Sequence, residues 1–260
     1  MKTISKAVAA GLLVSLLAPS AFVLAETRAD IKTNVKVEAR AGVRGGDFCA
    51  RIDTAGATLT ARIPKREEKR DDKFGALFIR KDDKRGSKDV RLDDKREQWD
   101  DHRSDRYVKL EARATTTAQK AAVVTFRTKV DAAVEVRRTA VDKAVTAFRT
   151  GVDAAVAERQ AKIDAAFAAL KSATDAAIAK AKAACAAGTA SADVRTTFLA
   201  DIKLANDAFH ASIKPAGDVE TKIKALRTTR DAAVKAAVET FKTAFDAAFK
   251  ELKLAFGITV

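Results

Sequence analysis

Six consecutive segments of eleven residues between Gln119 and Ala184 constrain this chain more than any other feature. They read QKAAVVTFRTK, VDAAVEVRRTA, VDKAVTAFRTG, VDAAVAERQAK, IDAAFAALKSA and TDAAIAKAKAA. The fourth residue of each is alanine, and the fifth is in turn Val123, Val134, Val145, Val156, Phe167 and Ile178. Eleven residues make three helical turns, so an apolar stripe with this period drifts only about 20° per segment on an ideal helix. Such a stripe suits nearly straight or slightly right-handed helices, and the alanines allow close approach of neighbours. The period returns near the C-terminus, where Ile223, Val234, Phe245 and Phe256 hold the fifth position. Arg127, Arg138, Arg149 and Lys171 each precede an aspartate four residues on, at Asp131, Asp142, Asp153 and Asp175. That is the less favourable order for a charge pair along a helix, so packing rather than pairing is expected to hold this element.

Composition points the same way. Among 260 residues there are 57 alanines but only 11 glycines and 3 prolines, which favours an all-α chain and excludes collagen-like or disulfide-dense scaffolds. Asp47 is placed to cap a first helix before Phe48, Thr115-Thr116-Thr117 to separate it from a second, and Gly188 with Ser191 to separate the second from a third. The expected helices are 47–113, 116–187 and 192–256, followed by a short tail at 257–260. At 1.5 Å per residue each is roughly 100 Å long, and short connections make one elongated antiparallel three-helix bundle the expected architecture.

The segment 65–106 differs in kind, since 28 of its 42 residues are charged, 15 basic and 13 acidic. Opposite charges recur three residues apart at Glu67–Arg70, Arg80–Asp83, Asp82–Arg85, Arg91–Asp94 and Asp93–Arg96. Each such pair adds only a few tenths of a kcal/mol to a helix. A solvated helix with interruptions at Gly75 and Gly86 is expected, and disorder is the close alternative. Pro64 is expected to interrupt the first helix. Folding the chain back at its two turns places Pro64 and Pro215 at about the same height, so a shared kink or hinge is expected there, with two unrelated interruptions as the alternative. The same reflection brings Cys49 near Cys185. A bridge between them is the expectation for an exported chain, with two buried thiols or an intermolecular link as alternatives.

Export itself is read from residues 1–25. Lys2 and Lys6 form a positive start, Ala7–Ala18 an apolar run, and Val23-Leu24-Ala25 a small-residue cleavage site before Glu26. An uncleaved anchor is the alternative. Removing the two lysines leaves 47 basic against 35 acidic residues, a net +12. Residues 26–46 are expected to form a flexible leader. A periplasmic, cell-surface or extracellular location is the corresponding expectation.

Signs of enzymatic chemistry are weak. The two cysteines lack the spacing of zinc or redox pairs, and His102 and His210 stand alone. His102 and Asp105 share a helix face, but Arg103 and Arg106 beside them oppose a metal ion. No catalytic residue, metal, cofactor or small-molecule substrate is expected. The interleaving of acids with bases disfavours nucleic acid as a partner. A protein partner or self-association is expected instead. An anionic membrane surface is the main rival, with Phe241, Phe245 and Phe249 as its docking patch, and a periplasmic holdase chaperone is a second.

The run FCARI, the segment ATTTAQKAAV, the DAAV-type units, the Ala-Cys before a glycine break and ALRTTRDAAVKAAVETFKTAF together resemble uncharacterised exported, alanine-rich, coiled-coil-like helical proteins of candidate-phyla (Patescibacteria-type) bacteria. The resemblance covers most of the chain after residue 25 and is compositional. It implies an envelope or extracellular setting and no particular activity or ligand. Pro64 and the charged segment 65–106 depart from it.

Overall fold

The computed structural model describes residues 47–214 and 217–258, all within the compact unit Asp47–Val260. The expected signal segment 1–25, the leader 26–46, Pro215 and the last two residues of the tail lie outside the described residues. The elements of the described residues are all helices: α1 (Phe48–Glu111), α2 (Thr117–Ala186), α3 (Ser191–Ile213) and α4 (Gly217–Ala255).

Local chemistry sets the ends of these helices. The Asp47 carboxylate accepts from the Cys49 amide at 3.0 Å and caps α1. At α2, the Thr116 hydroxyl accepts from the Gln119 amide at 3.2 Å, and the Gln119 side chain accepts from the Thr116 amide at 3.3 Å, a reciprocal capping box. Past the end of α2, Gly188 takes φ = 77°, which lets its own amide and that of Thr189 donate to the carbonyls of Cys185 and Ala184. Only glycine enters that left-handed conformation without steric cost.

Three expectations need correction. The single helix 192–256 is two, because α3 stops at Ile213 and α4 starts at Gly217. The intervening sequence, Lys214-Pro215-Ala216, carries a proline that cannot donate a backbone hydrogen bond, so continuation would leave a carbonyl unpaired. Pro64, by contrast, does not interrupt α1, which runs through it as helix. Ile63 beside it is 6% exposed and anchored in the core, and long helical flanks on both sides hold the proline in place. Nor do Gly75 and Gly86 break α1. Both lie in open space, where an added Cβ would meet nothing within 4 Å. Gly75→Ala and Gly86→Ala are therefore each expected to stabilise the protein by about 0.5–1 kcal/mol through helix propensity. Thermal melts would show this as a rise of about 1–4 °C per substitution. At Gly151 the gain should vanish, because a Cβ would come within 2.6 Å of Leu226 Cδ2.

The helix α2 is central and packs against α1, α3 and α4, while α1 also touches α3. Apolar burial gathers in three clusters along it. One joins Phe48 and Ile52 of α1 to Ala177 and Ala181 of α2 and to Val194, Phe198 and Ile202 of α3. A second joins Ile63 to Ile163, Ala166, Phe167 and Leu170 and to Ala205 and Phe209, with Phe74 and Ile213 packed against it. The third joins Tyr107 to Val123, Phe126, Val130 and Val134 and to Ala248 and Leu252 of α4. Between the second and third clusters, Ala144 and Ala155 are the buried side chains of α2, so that stretch carries a thin core.

Candidate functional site

That thin stretch is where the charges of α1 meet α2. From residue 64 to residue 106 no side chain of α1 is buried. The half-buried positions there are Phe74, Phe78, Leu92 and Trp99 together with eight charged residues: Glu67, Arg70, Lys81, Arg85, Asp89, Arg96, Asp100 and Arg103. A charged face therefore occupies the place where a helix in a bundle normally carries its apolar stripe.

Among the described residues, seven ion pairs cross from this face to α2. Arg70 meets Asp164 at 2.7 Å, Lys81 and Arg85 both meet Asp153 at 2.8 Å, and Arg149 of α2 meets Asp89 at 2.6 Å. Arg96 meets Asp142 at 2.5 Å, Arg138 of α2 meets Asp100 at 2.6 Å, and Arg103 meets Asp131 at 2.9 Å. Residue numbers rise along α1 as those of the partners fall along α2. The guanidinium groups of Arg85, Arg138 and Arg149 each donate through two nitrogens to both oxygens of one carboxylate, the strongest geometry open to such a pair. Asp131 also accepts from the Tyr107 hydroxyl at 3.1 Å, which ties the ladder to the apolar cluster beyond it. Nearer the disulfide the series continues with Thr60 donating to Asp175 at 3.3 Å and with the pair Asp53–Lys182.

These contacts redirect charges that the sequence places along single helices. Of the five expected pairs within α1, Asp82–Arg85 and Asp93–Arg96 come within 4 Å among the described residues, at 3.8 Å each. The cross-helix contacts are shorter. Along α2, Asp131, Asp142 and Asp153 serve mainly as acceptors for α1, so pairing as well as packing holds these two helices together. The signal for this was a spacing. Arg70, Lys81 and Arg103 stand at multiples of eleven, as do Arg85 and Arg96, and so do Asp131, Asp142, Asp153 and Asp164. Two helices sharing a period can keep one register over many turns.

Electrostatics agree with the geometry. Hydrogen bonds from Arg149, Arg138 and Arg85 hold the carboxyls of Asp89, Asp100 and Asp153, respectively, below the usual aspartate range. Burial, reinforced by the Asp131 carboxylate, pushes the Tyr107 phenol well above its ordinary value. The arginines are 14–29% exposed and their aspartate partners 39–49%, so each pair is worth about 0.2–1 kcal/mol after screening and the set a few kcal/mol. A depressed carboxylate pKa contributes stability that is present above about pH 4 and is lost as pH falls through the folded-state values. A drop in Tm below about pH 4, smaller in Asp89→Asn and Asp100→Asn variants, is expected in melts followed by circular dichroism.

The structure joins Cys49 to Cys185 with a Cα–Cα distance of 5.5 Å. The bridge sits beside the first apolar cluster, where the Cys49 amide also donates to the Ser191 hydroxyl at 3.2 Å. Pro64 is exposed on α1 at the level of the second cluster. Phe241, Phe245 and Phe249 are packed against the third cluster, with the Phe245 and Phe249 rings 5.9 and 6.3 Å from that of Phe126. The Arg137 guanidinium lies 4.4 Å over Phe241. These three rings are thus half-buried against the bundle. No described helix is long and apolar enough to cross a membrane. Comparison with protein-family models, with curated proteins and with solved structures finds no match.

Proposed function

We propose that the chain is an exported, non-enzymatic structural or interaction protein of the cell envelope, built as an elongated antiparallel bundle in which eleven-residue units in α2 and α4 form the packing seam. The observation that carries this reading is the Cys49–Cys185 bridge between helices of 64 and 70 residues. Disulfides persist in oxidising compartments outside the cytoplasm, and helices of this length span roughly 100 Å. A spacer or presentation module fits both properties. It holds its ends apart, its bridge withstands an oxidising setting, and its charged α1 surface stays hydrated. A lipid-surface role would need Phe241, Phe245 and Phe249 free, and their placement against the third cluster supports packing instead.

Two measurements test this together. Expression of the full chain in a bacterial host, followed by fractionation and N-terminal sequencing, should recover protein beginning at Glu26 outside the cytoplasm. Small-angle scattering of that product should give a rod with a maximum dimension of at least about 100 Å. A product retained in the cytoplasm, or a compact globule, would overturn the reading.

A further inference from the structure

We propose that residues 65–106 of α1 form a salt-released arm, a helical segment that ion pairs rather than a buried core hold on α2 and that unwinds when those pairs are screened. The inference rests on the ion pairs and stands whether or not the chain is exported. Buried apolar anchorage of α1 is confined to its ends, with Phe48, Ile52 and Ile63 on one side and Tyr107 on the other. Phe74 adds a half-buried contact at the edge of the second cluster, and Phe78, Leu92 and Trp99 are half-buried along the interval. Between the anchors no side chain is buried, and the seven ion pairs to α2 fill the interval. The aspartate side chains concerned are at least 39% exposed, so solvent ions reach them, Asp164 Oδ1 being the oxygen that is buried. At 1 M salt the screening length is only about 3 Å, close to the separation of the pairs themselves.

The two pinned ends decide how the arm leaves. Cys49–Cys185 closes one end, and the connection between Glu111 and Thr117 closes the other. A rigid helix fixed at both ends cannot lift away. It can detach only by unwinding, which lengthens the chain from about 1.5 to about 3.3 Å per residue. With 28 charges in 42 residues and few apolar side chains, the free segment has no packing of its own to keep it helical. Meanwhile α2 keeps its apolar contacts with α3 and α4, so release of the arm need not unfold the rest. What it bares is a strip of α2 in which Asp142 and Asp153 alternate with Arg138 and Arg149.

Hydrogen exchange read by mass spectrometry on the oxidised full chain, at 0.05 and 1 M NaCl, tests this. Exchange over 65–106 should accelerate roughly tenfold or more, while 119–184 and 217–255 change less than about twofold. Trp99, the sole tryptophan, should become more open to acrylamide quenching over the same range. At low salt Asp153→Lys, which sets a cation against Lys81 and Arg85, should mimic the salt. Adding Lys81→Asp and Arg85→Asp should restore protection. An arm whose exchange is unchanged to 1 M NaCl, or by Asp153→Lys, would overturn the proposal. So would acceleration of α2 in parallel with the arm, because the response would then be global unfolding.

Discussion

Reduction of the Cys49–Cys185 bond is expected to destabilise the protein by about 4–5 kcal/mol, the loss given by chain entropy for a closed loop of this size. The two cysteines are 136 residues apart, so the bridge encloses nearly all of α1 and α2. In the unfolded chain that loop excludes a very large number of conformations, and reduction returns them. The folded side changes less, because Phe48 and Ile52 stay packed on Ala177, Ala181 and Phe198, with the Phe48 and Phe198 rings 5.4 Å apart. Urea titrations of the oxidised protein, of the protein in dithiothreitol and of a Cys49→Ser/Cys185→Ser variant should place the last two together and well below the first. A loss of under about 1 kcal/mol would mean that the reduced, unfolded chain keeps these ends together by its own residual structure.

Truncation of Phe126 is expected to cost about 3–5 kcal/mol. Its ring is 7% exposed and lies where three helices meet, with ring centroids 6.2 Å from Tyr107 of α1 and 5.9 and 6.3 Å from Phe245 and Phe249 of α4. Phe126→Ala removes the shared neighbour of all three and leaves a cavity that long, capped helices cannot readily close. Val124→Ala, two residues away on a side chain that is 58% exposed, should stay within about 0.5 kcal/mol of the parent and serves as the control. Chemical denaturation followed by circular dichroism measures both. Cys185 lies 59 residues further along α2, roughly 90 Å, so the losses from Phe126→Ala and from reduction should add. Two separate transitions instead of one would show that the first and third clusters unfold independently.

Much of the helical plan was legible from local chemistry. Asp47, Thr116 with Gln119, and Gly188 each act on backbone groups within a few residues, so their roles follow from sequence neighbours alone. Of the six fifth-position residues of α2, Val123, Val134 and Phe167 are buried and Val145, Val156 and Ile178 are half-buried. The sequence suggested a hinge at Pro64 and Pro215 within two long helices, whereas the chain breaks between Ile213 and Gly217 and stays helical through Pro64. Ile63, beside Pro64, is held in a core cluster that no local pattern reveals.

The candidate site was the least legible part. Charges three apart on one helix are neighbours by construction, which made pairs such as Asp82–Arg85 the natural reading. Whether Arg85 turns to Asp82 or to Asp153 depends on how α1 is rotated about its axis and in what register it meets α2, and neither is a local quantity. By itself the sequence determined that these residues form long helices, where most of them begin and end, and which stripe of α2 is apolar. Capping, propensity and period act over a few residues. Only the tertiary structure decided that α1 turns a charged face inward, because a carboxylate chooses among cations by distance, and those distances exist only once two helices lie side by side.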